Sequence, residues 1–206
     1  MSKKTDLRII RTRKSIREAF LSLMGEKGFD AITIQDIADH AIMNRATFYL
    51  HYYDKHDLLD KLTEEVFEEL SQLIKPTSYI ENNEVLILKL EKMIQSIFEN
   101  IGRHIQFYQV MLGENGIYGV NNKIQLIIKN SFKREFSLLH LHEGNLSMPM
   151  DLLVEFMASA LMGMIRWWVL NDQIYSPKHM SKNLVQIITK GPLEAAGLKI
   201  EDKERR

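Results

Sequence analysis

Apolar residues recur at steps of three and four along nearly the whole chain, which is the spacing of one face of an α-helix. Glycine, asparagine and proline separate the runs, and no segment alternates with the two-residue period of a β-strand. We therefore predict an all-α protein. Its helices are expected at about residues 6–27, 34–41, 45–49, 55–74, 85–101, 105–112, 121–141, 150–170 and 177–189.

Two short helices near the N-terminus carry the clearest functional signal. Thr33 followed three residues later by Asp36 is typical of a capped helix N-terminus, and Asn44 can cap the second helix. With Phe48 packed back onto the first helix, the pair forms a helix-turn-helix, whose second helix contacts base edges in the major groove of DNA. The residues expected to contact DNA here are Thr33, Asn44, Arg45, Ala46, Thr47, Tyr49 and His51.

The stretch TIQDIADHAIMNRATFYLHYYDKHDLL resembles the DNA-binding signature of the tetracycline-repressor-like (TetR/AcrR) family, T-x-x-x-I-A-x-x-A-G-V-S-x-x-T-F-Y-x-H-F-x-x-K-x-x-L. The resemblance spans residues 8–62. It implies a three-helix DNA-binding head over residues 1–55 and a helical ligand-sensing and dimerisation domain over residues 56–206. It also implies that Lys55 contacts a DNA phosphate, which suits a residue in the first turn of a helix.

Two departures from this signature matter for the turn and for base contact. Ile42 and Met43 stand where the family has Gly-Val in the turn. Because a β-branched residue adopts a positive φ angle only with strain, we expect this turn to be wound differently. Leu50 stands where an aromatic residue is common in the family, which affects a base contact at that position but not the fold.

Composition narrows the class of protein. The chain of 206 residues is 45% hydrophobic and 26% charged, and it has no cysteine, which excludes disulfides and thiolate chemistry. Its formal net charge is zero, but seven basic residues against two acidic ones lie within residues 1–20, and a basic end suits phosphate contact. The longest apolar run, residues 156–165, is too short to span a bilayer, and no stretch resembles a signal peptide. We expect a cytoplasmic protein that does not enter membranes.

The second domain holds many aromatic and sulfur-containing side chains. Such residues usually form a helical core, but members of the resembled family often bind small apolar or aromatic molecules in this domain, so the same residues could line a ligand cavity. The sequence does not reveal the identity of the ligand. The residues expected to contact it are His104, Phe107, Tyr108, Met111, Phe132, Phe136, Phe156, Arg166 and Trp167.

The last two predicted helices are candidates for self-association. Small residues such as Ala158 and Gly163 let another helix approach closely, so two helices from each of two copies could form a four-helix bundle. The resemblance implies such a homodimer, and a two-fold DNA site requires one. The residues expected at the dimer contact are Leu153, Met157, Ala160, Leu161, Met164, Trp168, Leu184, Ile187 and Ile188.

A transcriptional regulator accounts best for these features. We expect a homodimer that binds a palindromic operator in double-stranded DNA. Members of the resembled family usually repress transcription, and the expected mechanism is release from the operator when a small-molecule inducer binds the second domain.

Other functions have less support in the sequence. His140, His142 and Glu143, with His104, have the chemistry of metal ligands, but histidines two residues apart point to different sides of a helix, so no metal or cofactor is expected. No nucleophile elbow, H-E-x-x-H or cofactor fingerprint indicates an enzyme. The alternatives are a metal-responsive regulator and a helical protein that binds another protein or a membrane surface.

Overall fold

The computed structural model describes residues 2–82, 84–113, 117, 119–139 and 146–199, with the backbone alone for residues 2–6. Nine α-helices occur in this part of the chain, which confirms the all-α prediction. They are α1 (Ser2–Lys27), α2 (Ile34–His40), α3 (Arg45–Tyr49), α4 (Lys55–Leu73), α5 (Ile87–Arg103), α6 (Ile105–Leu112), α7 (Val120–Leu138), α8 (Met150–Leu170) and α9 (Pro177–Ala195).

A small β-hairpin follows α4 and was not expected from the sequence. After a 3₁₀ turn at Pro76–Ser78, strand β1 (Ile80–Glu81) pairs antiparallel with β2 (Glu84–Val85), with Ile80 opposite Val85. Asn82 adopts a positive φ angle of 50° in the connection, as asparagine in tight turns often does. Two-residue strands are too short to show an alternating pattern.

The chain divides into two compact units. The first unit runs up to Glu69 and includes His104–Gln125, and the second comprises Leu70–Arg103 and the chain from Leu126 onward. The first unit thus contains α1, α2, α3, α6 and most of α4. The predicted boundary at residue 55 separates the DNA-binding residues from the rest of the chain, whereas these two units are defined by packing. The boundary stays a prediction.

The core of the first unit is built by α1, α2 and α3. Phe20 and Met24 of α1, Ile37 of α2 and Phe48 of α3 have no exposed surface, and Leu23 is nearly buried. These apolar side chains lie at the helical spacing that the sequence shows. Phe48 therefore packs inward, as its place in the predicted helix-turn-helix requires.

In the second unit, α5 and α8 meet through aromatic side chains. The rings of Phe98 and Trp168 lie edge to face with centroids 5.1 Å apart, and both side chains are fully buried. Trp168 Nε1 donates a hydrogen bond to the carbonyl oxygen of Tyr175 at 2.7 Å. Helix α9 packs beside α5 and extends past the predicted end at residue 189, with a kink where Gly191 has a φ of 77° before Pro192.

The turn between α2 and α3 keeps the geometry that a glycine would give it. Ile42 adopts a left-handed φ of 53°, its N–H donates to the Asp39 carbonyl, and the Met43 N–H donates to the Ala38 carbonyl. These two bonds define the Schellman motif that ends many helices, usually with glycine at the left-handed position. The expectation of a different winding is therefore wrong, because the turn forms despite the strain at Ile42.

This strain can be removed by mutation. Ile42 is 93% exposed, so Ile42→Gly should lose no packing and should relieve a left-handed penalty of about 1–2 kcal/mol, partly offset by the greater freedom of glycine in the unfolded chain. We expect the free energy of unfolding to rise by roughly 0.5–1 kcal/mol in urea denaturation. The control, Ile42→Val, keeps the β-branched strain and should change nothing. A glycine variant no more stable than the valine variant would contradict the strain.

Candidate nucleic-acid interface

Helix α2 begins at a complete capping box. The Asp36 N–H donates to Thr33 Oγ1 at 3.1 Å, while the backbone N–H and hydroxyl of Thr33 donate to Asp36 Oδ2 at 2.8 and 2.7 Å. These bonds, with the ammonium of Lys27 at 3.0 Å, lower the pKa of Asp36 to about 2. The predicted cap is confirmed. Contact of Thr33 with DNA stays a prediction, and its hydroxyl already holds the start of α2.

Helix α3 is short and has one buried side. Asn44 caps it, since the Ala46 N–H donates to Asn44 Oδ1 at 2.8 Å. Phe48 is the buried residue of α3, so its neighbours on the helix face outward. Among the predicted DNA contacts, Asn44, Arg45, Ala46 and Tyr49 are exposed, and Thr47 and His51 are half-buried.

The outer face of α3 carries a preorganised pair of side chains. Arg45 donates from Nε and Nη2 to Tyr49 Oη at 3.2 and 2.8 Å, and its guanidinium lies 5.5 Å from the centre of the Tyr49 ring. Residues four apart on a helix are neighbours, and this pair holds a planar cation in one place. An arginine held in this way can donate two hydrogen bonds to the O6 and N7 atoms of guanine.

His51 lies directly after α3. Partial burial, and then the charge of Arg13, lower the pKa of His51. The neutral imidazole is therefore favoured at neutral pH, so His51 would meet DNA through hydrogen bonds rather than as a cation.

Lys55 is the predicted DNA contact whose surroundings differ most from expectation. Its ammonium donates to the backbone carbonyls of Phe29, Asp30 and Ile32 at 3.0, 3.1 and 3.0 Å and lies 4.7 Å from the centre of the Phe29 ring. An ammonium group has three N–H donors, and all three are engaged. Phosphate contact by Lys55 stays untested, but the geometry favours a role in fixing the loop before α2.

The basic residues of α1 differ in their availability. Arg8, Arg11 and Lys14 are exposed, and Lys14 has only a long i,i+4 ion pair of 3.7 Å with the exposed Glu18. Arg17 is instead partly buried and is bound by Glu65 of α4. Contacts between residues tens of positions apart leave no local pattern from which to predict them.

Four predicted ligand residues belong to the first unit. Phe107, Tyr108 and Met111 of α6 are buried, and His104, just before α6, places its Nε2 2.9 Å from Glu69 Oε2. The Tyr108 hydroxyl is fully buried and has no hydrogen-bond partner among the described residues, and burial raises the pKa of this phenol. It is therefore a polar atom that a bound molecule could satisfy.

The remaining five predicted ligand residues belong to the second unit. Phe132 and Phe136 are buried and stack on one another with ring centroids 5.9 Å apart. Phe156 is 65% exposed and Trp167 is 41% exposed, and Arg166 is exposed as well. The expectation that these last three line an enclosed cavity is not met within this unit, because their side chains lie on its surface.

The residues predicted at the dimer contact differ widely in burial. Those with little or no exposed surface are Leu161, Trp168 and Leu184. Those that are half-buried are Leu153, Met157 and Met164, and those that are exposed are Ala160, Ile187 and Ile188. Trp168 has no surface with which to touch a second copy, so its assignment to a dimer contact is wrong. Its ring instead forms part of the core.

The exposed side of α8 is a different apolar stripe. It consists of Leu152, Phe156, Gly163, Trp167 and Leu170. Their steps of three, four and seven follow the helical repeat, so the sequence contained this signal. It was missed because the opposite side of α8 is equally apolar.

Helix α8 is also long and apolar enough to cross a bilayer, judged by length and composition alone, with a mean hydropathy of 1.4 over 18 residues. The apolar run at residues 156–165 is therefore part of a longer apolar helix. Val154, Ile165 and Trp168 bury one side of it in the second unit. Core helices of soluble proteins pass the same test, so the finding is weak evidence for a membrane span.

Of the four residues considered as metal ligands, the structure describes one, His104. His140, His142 and Glu143 lie outside the described residues. Within the described ranges, no group of three or more histidine, aspartate or glutamate side chains is placed to hold a metal ion. His104 has Glu69 as its partner instead.

Two family models match the chain. One, described as bacterial regulatory proteins, tetR family, matches residues 16–62, and the other, described as transcriptional regulator C-terminal region, matches residues 89–190. The first match contains the helix-turn-helix. Together the two models cover most of the sequence.

Relatives with curated names are transcriptional regulators too. The chain is 22% identical over 178 residues to an uncharacterized HTH-type transcriptional regulator of Bacillus subtilis (strain 168), YxbF; the match covers 84% of the chain but only 44% of that longer protein. It is 23% identical over 202 residues to the HTH-type transcriptional regulator AcrR of Shigella flexneri. This match covers 91% of the chain and 92% of that protein.

Solved structures share the fold. The transcriptional regulator FadR of Bacillus subtilis, solved in complex with stearoyl-CoA, has a TM-score of 0.59 at 19% identity, and the match covers 86% of this chain and 98% of that chain. NalD, the secondary repressor of the MexAB-OprM multidrug efflux pump in Pseudomonas aeruginosa, has a TM-score of 0.63 at 16% identity. This match covers 90% of the present chain and 98% of the NalD chain. The predicted architecture, a helix-turn-helix head and a helical C-terminal domain, is confirmed.

The carbonyl cage around Lys55 predicts a specific effect of mutation. Lys55→Met nearly keeps the length of the side chain but leaves three carbonyls without their cation. We therefore expect the free energy of unfolding, measured by urea denaturation, to fall by roughly 1.5–3 kcal/mol. If the main role of Lys55 were instead to contact phosphate, Lys55→Met would leave stability unchanged. It would then lower the slope of log affinity against log salt concentration by about one.

A neighbouring lysine supplies the control. Lys61 lies on the same helix in an exposed i,i+4 pair with Asp57 at 2.9 Å, and Lys61→Met should lower stability by no more than about 0.5 kcal/mol. If both variants lost equally little stability, the proposed role of the Lys55 cage would be refuted.

Proposed function

The chain belongs to the tetR family of bacterial regulatory proteins, and we propose that it controls transcription as a homodimer whose two heads bind a palindromic operator in double-stranded DNA. We further propose that it acts as a repressor and leaves the operator when a small molecule binds its C-terminal domain. A protein with this role works where the DNA is, so its place is the cytoplasm. It acts by binding and not as an enzyme.

The outer face of α3 is the observation that supports DNA reading most directly. Phe48 fixes the inner side of the helix in the core, and the exposed Arg45 is held by Tyr49 on the outer side. The exposed arginines of α1, Arg8 and Arg11, can add contacts to phosphates. A buried anchor behind an exposed, oriented cation is what base reading in a groove requires.

The apolar stripe of α8 supports self-association. Phe156, Trp167 and Leu170 are large apolar side chains that are exposed to water in a single chain. The surface at Gly163 is also open, since a Cβ placed there would meet no atom within 4 Å. Ile187 and Ile188 add exposed apolar surface on α9. A second copy of the chain would cover such surface, and two helices from each copy then form a four-helix bundle.

The buried hydroxyl of Tyr108 supports a ligand. An unpaired buried hydroxyl costs about 1–3 kcal/mol, and a ligand with a hydrogen-bond acceptor would recover this energy. To release DNA, the ligand must bind better to the conformation that fits the operator poorly, typically by about 1–3 kcal/mol. A compound that raises the melting temperature of the free protein and weakens its binding to the operator would meet both requirements.

Selection of DNA by the purified protein tests operator recognition. We expect the protein to enrich a two-fold sequence from a pool of random duplexes. Arg45→Ala should then weaken binding to the selected duplex by roughly 1–3 kcal/mol and relax the preference at one base position of each half-site, as measured by fluorescence anisotropy and by repeating the selection.

Arg134→Ala is the matched control, because Arg134 lies in the second unit, is exposed and, among the described residues, pairs with the neighbouring Glu135. It should bind the selected duplex like the wild type. Failure of the wild type to enrich any sequence would refute the proposed function, and an Arg45→Ala variant with unchanged base preference would refute the role of Arg45.

The dimer is tested at Phe156. We expect sedimentation equilibrium to show a dimer of the wild type at micromolar concentration and Phe156→Glu to raise its dissociation constant by at least about tenfold, because a carboxylate would lose water in the apolar contact. Since Phe156 is 65% exposed, the circular dichroism spectrum should not change.

Leu88→Glu provides a comparison at an exposed apolar position outside the stripe. Leu88 is 75% exposed on α5, and its replacement should leave the dimer intact. Equal dissociation constants for the Phe156 and Leu88 variants would show that the dimer forms elsewhere.

A further inference from the structure

Arg17 stands out among the basic residues of α1 because three of its five guanidinium N–H groups donate hydrogen bonds inside the first unit. It donates from Nη1 to Glu65 Oε1 at 2.7 Å, from Nη2 to Glu65 Oε2, and from Nε to Tyr52 Oη at 3.3 Å. The Arg17 side chain is 24% exposed. Two parallel bonds to one carboxylate, with a third to a phenol, are the geometry for which arginine is suited and lysine is not.

The same contacts reach the residues that follow α3 through Tyr52. The Tyr52 N–H donates to the carbonyl of Phe48 at 3.0 Å, and the Tyr52 and Phe48 rings lie with centroids 5.7 Å apart. Tyr52 is 3% exposed, so its hydroxyl is directed toward Arg17 inside the protein. Arg17 therefore connects Tyr52, which lies three residues after the end of α3, to Glu65 in the middle of α4.

At Tyr52 the chain differs from the family signature quoted above by one hydroxyl group. The signature T-F-Y-x-H-F has phenylalanine at the position that Tyr52 occupies here. Phenylalanine would keep the packing on Phe48 but would give Arg17 nothing to bind. We call the contact between Arg17 and the Tyr52 hydroxyl the tether. It depends on the one oxygen atom that the signature residue lacks.

We propose that Arg17 is a positioning residue for DNA recognition: it fixes the direction of α3 through Tyr52, with Glu65 as its anchor, and does not bind phosphate. This inference rests on the proposed function. Arg17 is one of the seven basic residues within residues 1–20. The contacts with Glu65 and Tyr52 leave two guanidinium N–H groups and 24% of the side chain exposed, so a phosphate would compete with Glu65 for the same cation.

The tether matters because α3 is only five residues long. Such a helix has little stiffness of its own, and small changes in its direction move Arg45 relative to the bases. If the operator-fitting direction falls from nearly all molecules to about a tenth of them, apparent operator affinity falls about tenfold. Non-specific binding depends on phosphate charges and changes much less.

The test compares two duplexes: the sequence that the wild type enriches from a random pool, and a scrambled duplex of the same composition. Arg17→Lys keeps the charge but loses the two-pronged contact, and we expect the ratio of the two affinities to fall about tenfold with no change in salt dependence. Tyr52→Phe, which restores the signature residue, should lower the ratio about threefold.

Combining the variants separates positioning from general destabilisation. Because Arg17 and Tyr52 act through one contact, the double variant should have the same ratio as Arg17→Lys alone. Independent effects that multiply, or equal losses on both duplexes, would overturn the positioning role, as would a salt dependence that falls by one. Arg134→Lys, in the second unit, is the matched control and should leave the ratio unchanged.

The outcome also separates this inference from the proposed function. If the wild type enriches a sequence and Arg17→Lys keeps the full ratio, the positioning role alone is refuted. If the wild type enriches none, the proposed function fails and the positioning role fails with it.

Discussion

The burial of Phe48 is the constraint on which the rest of the head depends. A helix as short as α3 is not stable by itself in water, so its position must come from tertiary contacts. Phe48 has no exposed surface, and burying a side chain of this size contributes about 1.5–3 kcal/mol. With this residue fixed, the helical repeat directs Arg45 and Tyr49 outward. The chemistry of the outer face is therefore set by one apolar contact on the inner face.

Polar contacts behind α3 complete what Phe48 begins. The capping box of Thr33 and Asp36 fixes the start of α2, and Lys55 holds the loop that precedes it. Arg17 ties Tyr52 to α4. These charged groups contact the interior or the loops of the head, whereas Arg8, Arg11 and Arg45 are exposed. Charged side chains of the head thus orient its helices as well as offering groups for binding.

Features encoded within a few residues could be predicted, and those that depend on distant contacts could not. The caps at Thr33 and Asn44 and the limits of most helices follow from local chemistry, and the structure confirms them. The carbonyls that surround Lys55 lie more than twenty positions earlier in the chain, and no local pattern records them. The same holds for Arg17 and Glu65, which are 48 positions apart.

Helix α8 shows a different limit of prediction. Its period identifies a helix, but apolar residues lie on all sides, so the pattern does not tell which side faces inward. Trp167 and Trp168 are adjacent and point about 100° apart. Phe98 of α5 packs on Trp168, which becomes core, and Trp167 is left at the surface. The inward side is thus chosen by the partner helix, and the apolar surface available to a second copy is what remains after that choice.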